Sequence, residues 1–160
     1  MDMGWREIHH NFFMDNYSPQ ENVDNDDGSR YYKTHDNFLV YGGRGMKTDF
    51  GGHDNRHEGN IYAYVGEALG VCGALDNHED VFTGNTVVLT GHTVGGPQCH
   101  APGKTVMFNN SYFTPTGQVS ECGSNTLRGW QASGNEKGST VAKTPSDDAI
   151  IAWARAKIFV

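Results

Sequence analysis

The amino-acid sequence predicts an all-β fold, a right-handed parallel β-helix solenoid with a C-terminal helical cap. Three observations carry that prediction. The 160 residues include 21 glycines, about twice the average share of roughly 7%. An asparagine recurs before a short apolar run at spacings of 26, 23, 25 and 25 residues. The repeat stops near residue 121 and gives way to a capped amphipathic helix.

The repeating runs are Asn11-Phe12-Phe13, Asn37-Phe38-Leu39-Val40, Asn60-Ile61-Tyr62-Ala63-Tyr64, Asn85-Thr86-Val87-Val88-Leu89 and Asn110-Ser111-Tyr112-Phe113. Turn formers follow each run, at Asn16-Tyr17-Ser18, Gly42-Gly43, Gly66, Gly91 and Pro115-Thr116-Gly117. A period of this length with one apolar strand per repeat fits a leucine-rich horseshoe or a parallel β-helix. The chain has only 5 leucines and lacks the L-x-x-L-x-L spacing, so the β-helix is expected. Equivalent positions of successive coils then stack ~4.8 Å apart, and the asparagines form a side-chain amide ladder at one corner. Residues 1–120 are read as the coils, and 121–160 as a C-terminal loop and capping helix. Leu127 to Trp130 makes a short helical turn. Ser146 caps the final helix, Asp147 and Asp148 suit its N-terminus, and Arg155 and Lys157 suit its C-terminus. No comparable cap precedes residue 9, so the first coil is expected to lean on earlier coils or on a partner chain.

Composition excludes several classes. A formal charge of −7, with 12 basic residues and no cluster of them, disfavours a nucleic-acid binder. No apolar run reaches the length of a membrane span. A signal peptide is not visible in residues 1–13, and the chain reads as beginning inside a structural unit. Cys72, Cys99 and Cys122 match no zinc or redox spacing; one disulfide with a free thiol, or a partner in a missing N-terminal part, accounts for them equally. Sequons at Asn16 and Asn109 fit, with the cysteines, a secreted glycoprotein.

The strings Ile8-His9-His10-Asn11-Phe12-Phe13, Asp24-Asn25-Asp26-Asp27-Gly28-Ser29 and Gly51-Gly52-His53-Asp54-Asn55-Arg56-His57 resemble parallel β-helix proteins of the pectin-lyase-like superfamily, as does the tail from 130 to 157. The resemblance implies a glycan-binding groove along one face and, in many members, lyase, hydrolase or epimerase activity on acidic polysaccharides. The same superfamily holds adhesins and structural proteins, so fold alone does not fix function.

Candidate chemistry follows from the register. Asp26 and Asp49 each lie 11 residues before a ladder asparagine, and Asp24 and Lys47 each lie 13 before. Stacked coils would bring Asp26 against Asp49, near the ~5–5.5 Å separation of a retaining glycosidase pair, with an Asp24–Lys47 contact beside them. Catalytic roles are therefore expected for Asp26, Asp49, Lys47 and His53, and substrate-binding roles for Asp24, Asp27, Asp54, Arg56 and His57. A lyase would use a histidine base with Lys47 or Arg56 neutralising a uronate. Calcium on the oxygens of Asp24, Asp26, Asp27 and Asp49 suits a hard cation; zinc on His53, Asp54 and His57 needs a helix that Gly51-Gly52 and Gly59 oppose. Against these stand plainer readings: turn-capping carboxylates and corner histidines bonded to backbone. Trp5, Tyr31, Tyr32, Tyr62 and Tyr64 offer aromatic faces for sugars, although alternation sends both Tyr62 and Tyr64 to the core. Two functions are expected from this: an extracellular protein binding or processing polysaccharide, or a non-catalytic subunit of a cell-surface or filament assembly.

Overall fold

The computed structural model describes residues 4–14, 20–71, 75–95, 105–121 and 125–159. They form a parallel β-solenoid of about five coils with three faces. The first sheet stacks β1 (Arg6–His9), β4 (Tyr32–His35), β7 (Arg56–Glu58), β10 (Asp80–Thr83) and β12 (Thr105–Phe108). The second stacks β2 (Phe12–Met14), β5 (Phe38–Val40), β8 (Ile61–Val65), β11 (Thr86–Leu89), β13 (Ser111–Thr114) and β16 (Thr140–Lys143). The third holds β3 (Glu21–Asn25), β6 (Arg44–Thr48) and β9 (Glu67–Val71). All pairings in these three sheets are parallel; the short pair β14 (Ser120–Glu121) and β15 (Asn125–Thr126) is antiparallel.

The corner between the first and second sheets explains the asparagine period. Asn11, Asn37, Asn60, Asn85 and Asn110 form a continuous ladder in which each Nδ2 donates to the next Oδ1, at 3.1, 3.0, 3.2 and 3.4 Å. Each Oδ1 beyond the first also accepts the backbone N–H of the preceding asparagine, at 2.9–3.1 Å. A second Nδ2 bond reaches the carbonyl of Ile8, Thr34, His57 or Phe82, so the amide groups of four buried rungs leave little unmet. The residue before each asparagine rung is left-handed: His10, Asp36 and Asn109 at φ 53–56°, and Gly59 and Gly84; Gly138, before Ser139, is left-handed too. Histidine, aspartate, asparagine and glycine are the types that tolerate this region. The corner is therefore a two-residue device, one residue that turns the chain and one that ties it to the neighbouring coil.

Between the sheets runs a thin core of Leu39, Met46, Tyr62, Leu69, Phe82, Val87 and Tyr112, one or two large side chains per coil. The end of this core is closed by α1 (Leu127–Ala132), whose Leu127 is buried with Trp130 packed beside it. Here the ladder also terminates: Ser139 Oγ accepts the Asn110 N–H at 2.8 Å and donates to Glu136, which takes Tyr112 Oη at 2.5 Å. The period breaks in sequence at residue 121, yet β16 still pairs with β13 as a further strand. An insertion carrying α1 lies between them, which is why the repeat is hidden there.

The final helix α2 (Asp147–Ile158) begins at Ser146, whose Oγ accepts the Ala149 N–H at 3.3 Å. It lies along the outer face of the second sheet and covers Phe38, Val40, Ile61, Ala63 and Val88 with Ile150 and Ala154. Lys157 Nζ fastens its last turn to Asp36 at 2.8 Å. The helix is thus a side cover, while α1 and Glu136 close the end. At the opposite end β2 leaves Phe12, Phe13 and Met14 exposed. The alternation expected to bury both Tyr62 and Tyr64 fails: a bulge opposite Val88 and Leu89 puts Tyr64 at φ 59°. Tyr62 stays inside, and Tyr64 turns out to stack on Tyr41 and donate to Asp147. No helix among the described residues is long and apolar enough to cross a membrane. The three cysteines and Asn16 lie outside the described residues.

Candidate functional site

Strands β3 and β6 carry the candidate group on the third sheet, paired in register Val23 to Met46 and Asp24 to Lys47. Alternation along both strands buries Met46 and sends Asp24 and Lys47 outward. Lys47 Nζ lies 3.0 Å from Asp24 Oδ2, 3.0 Å from Asp49 Oδ2 and 3.8 Å from Glu21 Oε2. The turns after the strands bring in the remaining carboxylate. Asp26 opens a tight turn, its carbonyl accepting Ser29 N–H at 2.9 Å and its Oδ1 accepting Asp27 N–H at 2.8 Å. One coil on, Asp49 stands before Phe50 and Gly51, both left-handed, and its carbonyl accepts Gly52 N–H at 2.8 Å. Gly52 has no freedom here, since a Cβ would sit 2.3 Å from the Asn25 carbonyl of the coil below. Oxygens of Asp24, Asp26 and Asp49 all fall within 4.8 Å of one another.

The proton distribution in this group is asymmetric. Interaction with the Asp49 carboxyl one coil on holds Asp26 below the ordinary carboxyl value. Burial, with the neighbouring Asp26, pushes Asp49 up. Asp49 Oδ2 accepts from Lys47, while its Oδ1 is buried with no hydrogen-bond partner among the described residues. Burial opposes the Lys47 charge, but hydrogen bonds to Asp49 and Asp24 outweigh it and keep the ammonium well above its ordinary value. The arrangement is two carboxylates whose proton affinities are driven apart, Asp49 up and Asp26 down, beside a cation held charged. Phe50 stands next to it with 73% of its surface exposed.

The other sequence candidates go elsewhere. Asp27 occupies the exposed apex of its turn at φ 48°. His53 turns to Asp54, whose Oδ2 accepts its Nδ1 at 2.8 Å, so the structure does not join His53 to the carboxylate pair. Arg56 lies on the outside of the first sheet, bonded to Glu58 at 2.5 Å and over the ring of Trp5. His57 is fully buried between Asn25, 2.9 Å from Nε2, and Tyr62 Oη, 3.0 Å from Nδ1. The structure places it in the core, away from the surface where a binding role was expected; burial lowers its pKa to about 3, so it is a neutral core residue.

Sequence reasoning missed three features. Phe50 was one aromatic among many, and only the turn pushes it outward. Arg44 bridges Glu21 at 3.1 Å and Glu67 at 2.8 Å, lengthening the ionic row to a third coil. His78 sits 25 residues after His53 and donates to the same Asp54 oxygen at 2.6 Å; the 25-residue offset was the signal that pointed to it. No protein-family model matches the chain, and neither a curated protein nor a solved structure matches it.

Proposed function

We propose that this β-solenoid is an extracellular carbohydrate-active protein of the pectin-lyase-like kind, with Asp49 as general acid and Asp26 as the nucleophilic carboxylate. The observation that carries the reading is the meeting of the Asp26 and Asp49 carboxylates on adjacent coils, with burial and each other's presence driving Asp49 up and Asp26 down, so that one is the better acid and the other stays ionised. Their oxygens lie within 4.8 Å of one another, too close for the ~6.5–9.5 Å spacing by which inverting glycosidases make room for a water. The environment favours neutral over uronate sugars. β-Elimination needs a cation free to neutralise a uronate, and Lys47 is already ringed by Glu21, Asp24 and Asp49. Phe50 supplies the exposed ring on which a sugar face stacks.

The test is incubation with a panel of neutral and uronate polysaccharides, following new reducing ends and unsaturated products separately. Reducing ends from neutral glycans are expected, lost by ~100-fold or more in Asp49→Asn and in Asp26→Asn. Unsaturated products would replace hydrolysis by elimination. Silence across the panel from a folded protein favours a second reading, a structural or accessory subunit, for which the exposed Phe12, Phe13 and Met14 of the first coil speak.

A further inference from the structure

A second side-chain cluster, independent of the carboxylate pair, stands at the corner between the third and first sheets. His53 Nδ1 and His78 Nδ1 both point at Asp54 Oδ2, at 2.8 and 2.6 Å, from two neighbouring coils. From this geometry we infer that His53, Asp54 and His78 form a binding site for a zinc-type divalent cation.

Two imidazole nitrogens and one carboxylate oxygen are the donor set of a three-ligand transition-metal site. All three donor atoms lie within 4.8 Å of one another. A tetrahedral ion with bonds of ~2.0–2.1 Å separates its donors by a little over 3 Å, so each contact needs to open by only about half an ångström. The cation would take the place of the two N–H protons that now bridge to Oδ2, and both Nδ1 atoms already face that oxygen.

The ligands are held before any ion arrives. Asp54 is left-handed at φ 54°, a position fixed by His53 N–H on the Ser29 carbonyl at 3.0 Å and by Asn55 N–H on Asp80 Oδ1 at 2.7 Å. The His53 ring is buried, tilted at 52° against His78 with the centroids 4.3 Å apart, and met edge-on by Tyr31 at 6.4 Å. Asp80, buried beneath, adds a carboxyl that senses both Asp54 and His53. The His78 side chain keeps 40% of its surface exposed, which leaves an entry path and a fourth coordination position toward solvent. One coil earlier Arg30 bridges to His53 in register, so the histidine pair is confined to these two coils.

The site is tested by titrating the chelator-treated full chain, its cysteines blocked by alkylation, with zinc alone, and with cobalt(II) as a spectroscopic stand-in. One ion per chain at micromolar affinity, visible cobalt bands of tetrahedral intensity without thiolate charge-transfer absorption, and a higher Tm with zinc are expected. His78→Ala and Asp54→Asn should each weaken binding at least tenfold, whereas His35→Ala, whose ring stacks on His9 at 5.0 Å, away from this corner, should not. His78 is a half-exposed loop residue, so its variant keeps the fold, checked by circular dichroism. Failure to bind one ion, or binding that survives both variants, overturns the assignment.

Discussion

Individual buried ionisable residues set how this molecule answers to pH. Glu121 lies in the closed end of the solenoid, where burial and the neighbouring charge of Glu136 push its pKa up to about 9, and neither of its oxygens has a hydrogen-bond partner among the described residues. A carboxyl raised in the folded state contributes fully below its unfolded pKa, and that contribution is lost as pH rises toward the folded value. His57 acts in the opposite sense. Its pKa falls from 6.5 to about 3 on burial, so stability is present above 6.5 and drains away as pH drops toward 3. The expected profile is a dome with its maximum at mildly acidic pH. Thermal melts of Glu121→Gln should show a gain of about 1–3 kcal/mol at pH 8 that vanishes below pH 4.5. His57→Gln should flatten the acid limb alone. An unchanged profile in both variants would mean these groups do not control it.

At the scale of the element, the corner ladder is the strongest tie between coils. Asn85 accepts from Asn60 twice and donates to Asn110 and to the His57 carbonyl. Its replacement by alanine strands buried donors on Asn60 and an acceptor on His57, costing about 3 kcal/mol as a sum of unmet buried groups. Denaturant melts measure this, and a loss below about 1 kcal/mol would show that water or backbone shifts replace the ladder. This ladder was legible in the sequence, because an asparagine needed for a fixed geometry recurs at a fixed offset. The carboxylate pair was legible for the same reason, since parallel register carries offsets straight into distances. His57 was not legible: a three-residue strand with one inward position takes whichever residue falls there, and a histidine can satisfy both ring nitrogens inside. Tyr64 was lost to a bulge, a one-residue event that no period announces.

The whole molecule is a stack whose stability is a sum of coil and neighbour terms. Covering α2 therefore adds to one face without being needed by every coil. Ile150→Asp places a charge against Phe38, Ile61 and Val88, and the expected outcome is loss of the α2 helical signal with the β-solenoid signal retained. Complete unfolding would show instead that the helix holds the coils together.

By itself, the sequence determined the repeat, the parallel stacking, the corner asparagines and the meeting of Asp26 with Asp49, because each depends on spacing along a chain whose register is fixed. Only the tertiary structure decided which charged residues converge and which part company. Lys47 is absorbed by three carboxylates, His53 is drawn to Asp54 and His78, and α2 lies on the side of the stack while Glu136 closes its end. Those outcomes depend on burial and on side-chain direction at turns, which the spacing of residues along the chain does not encode.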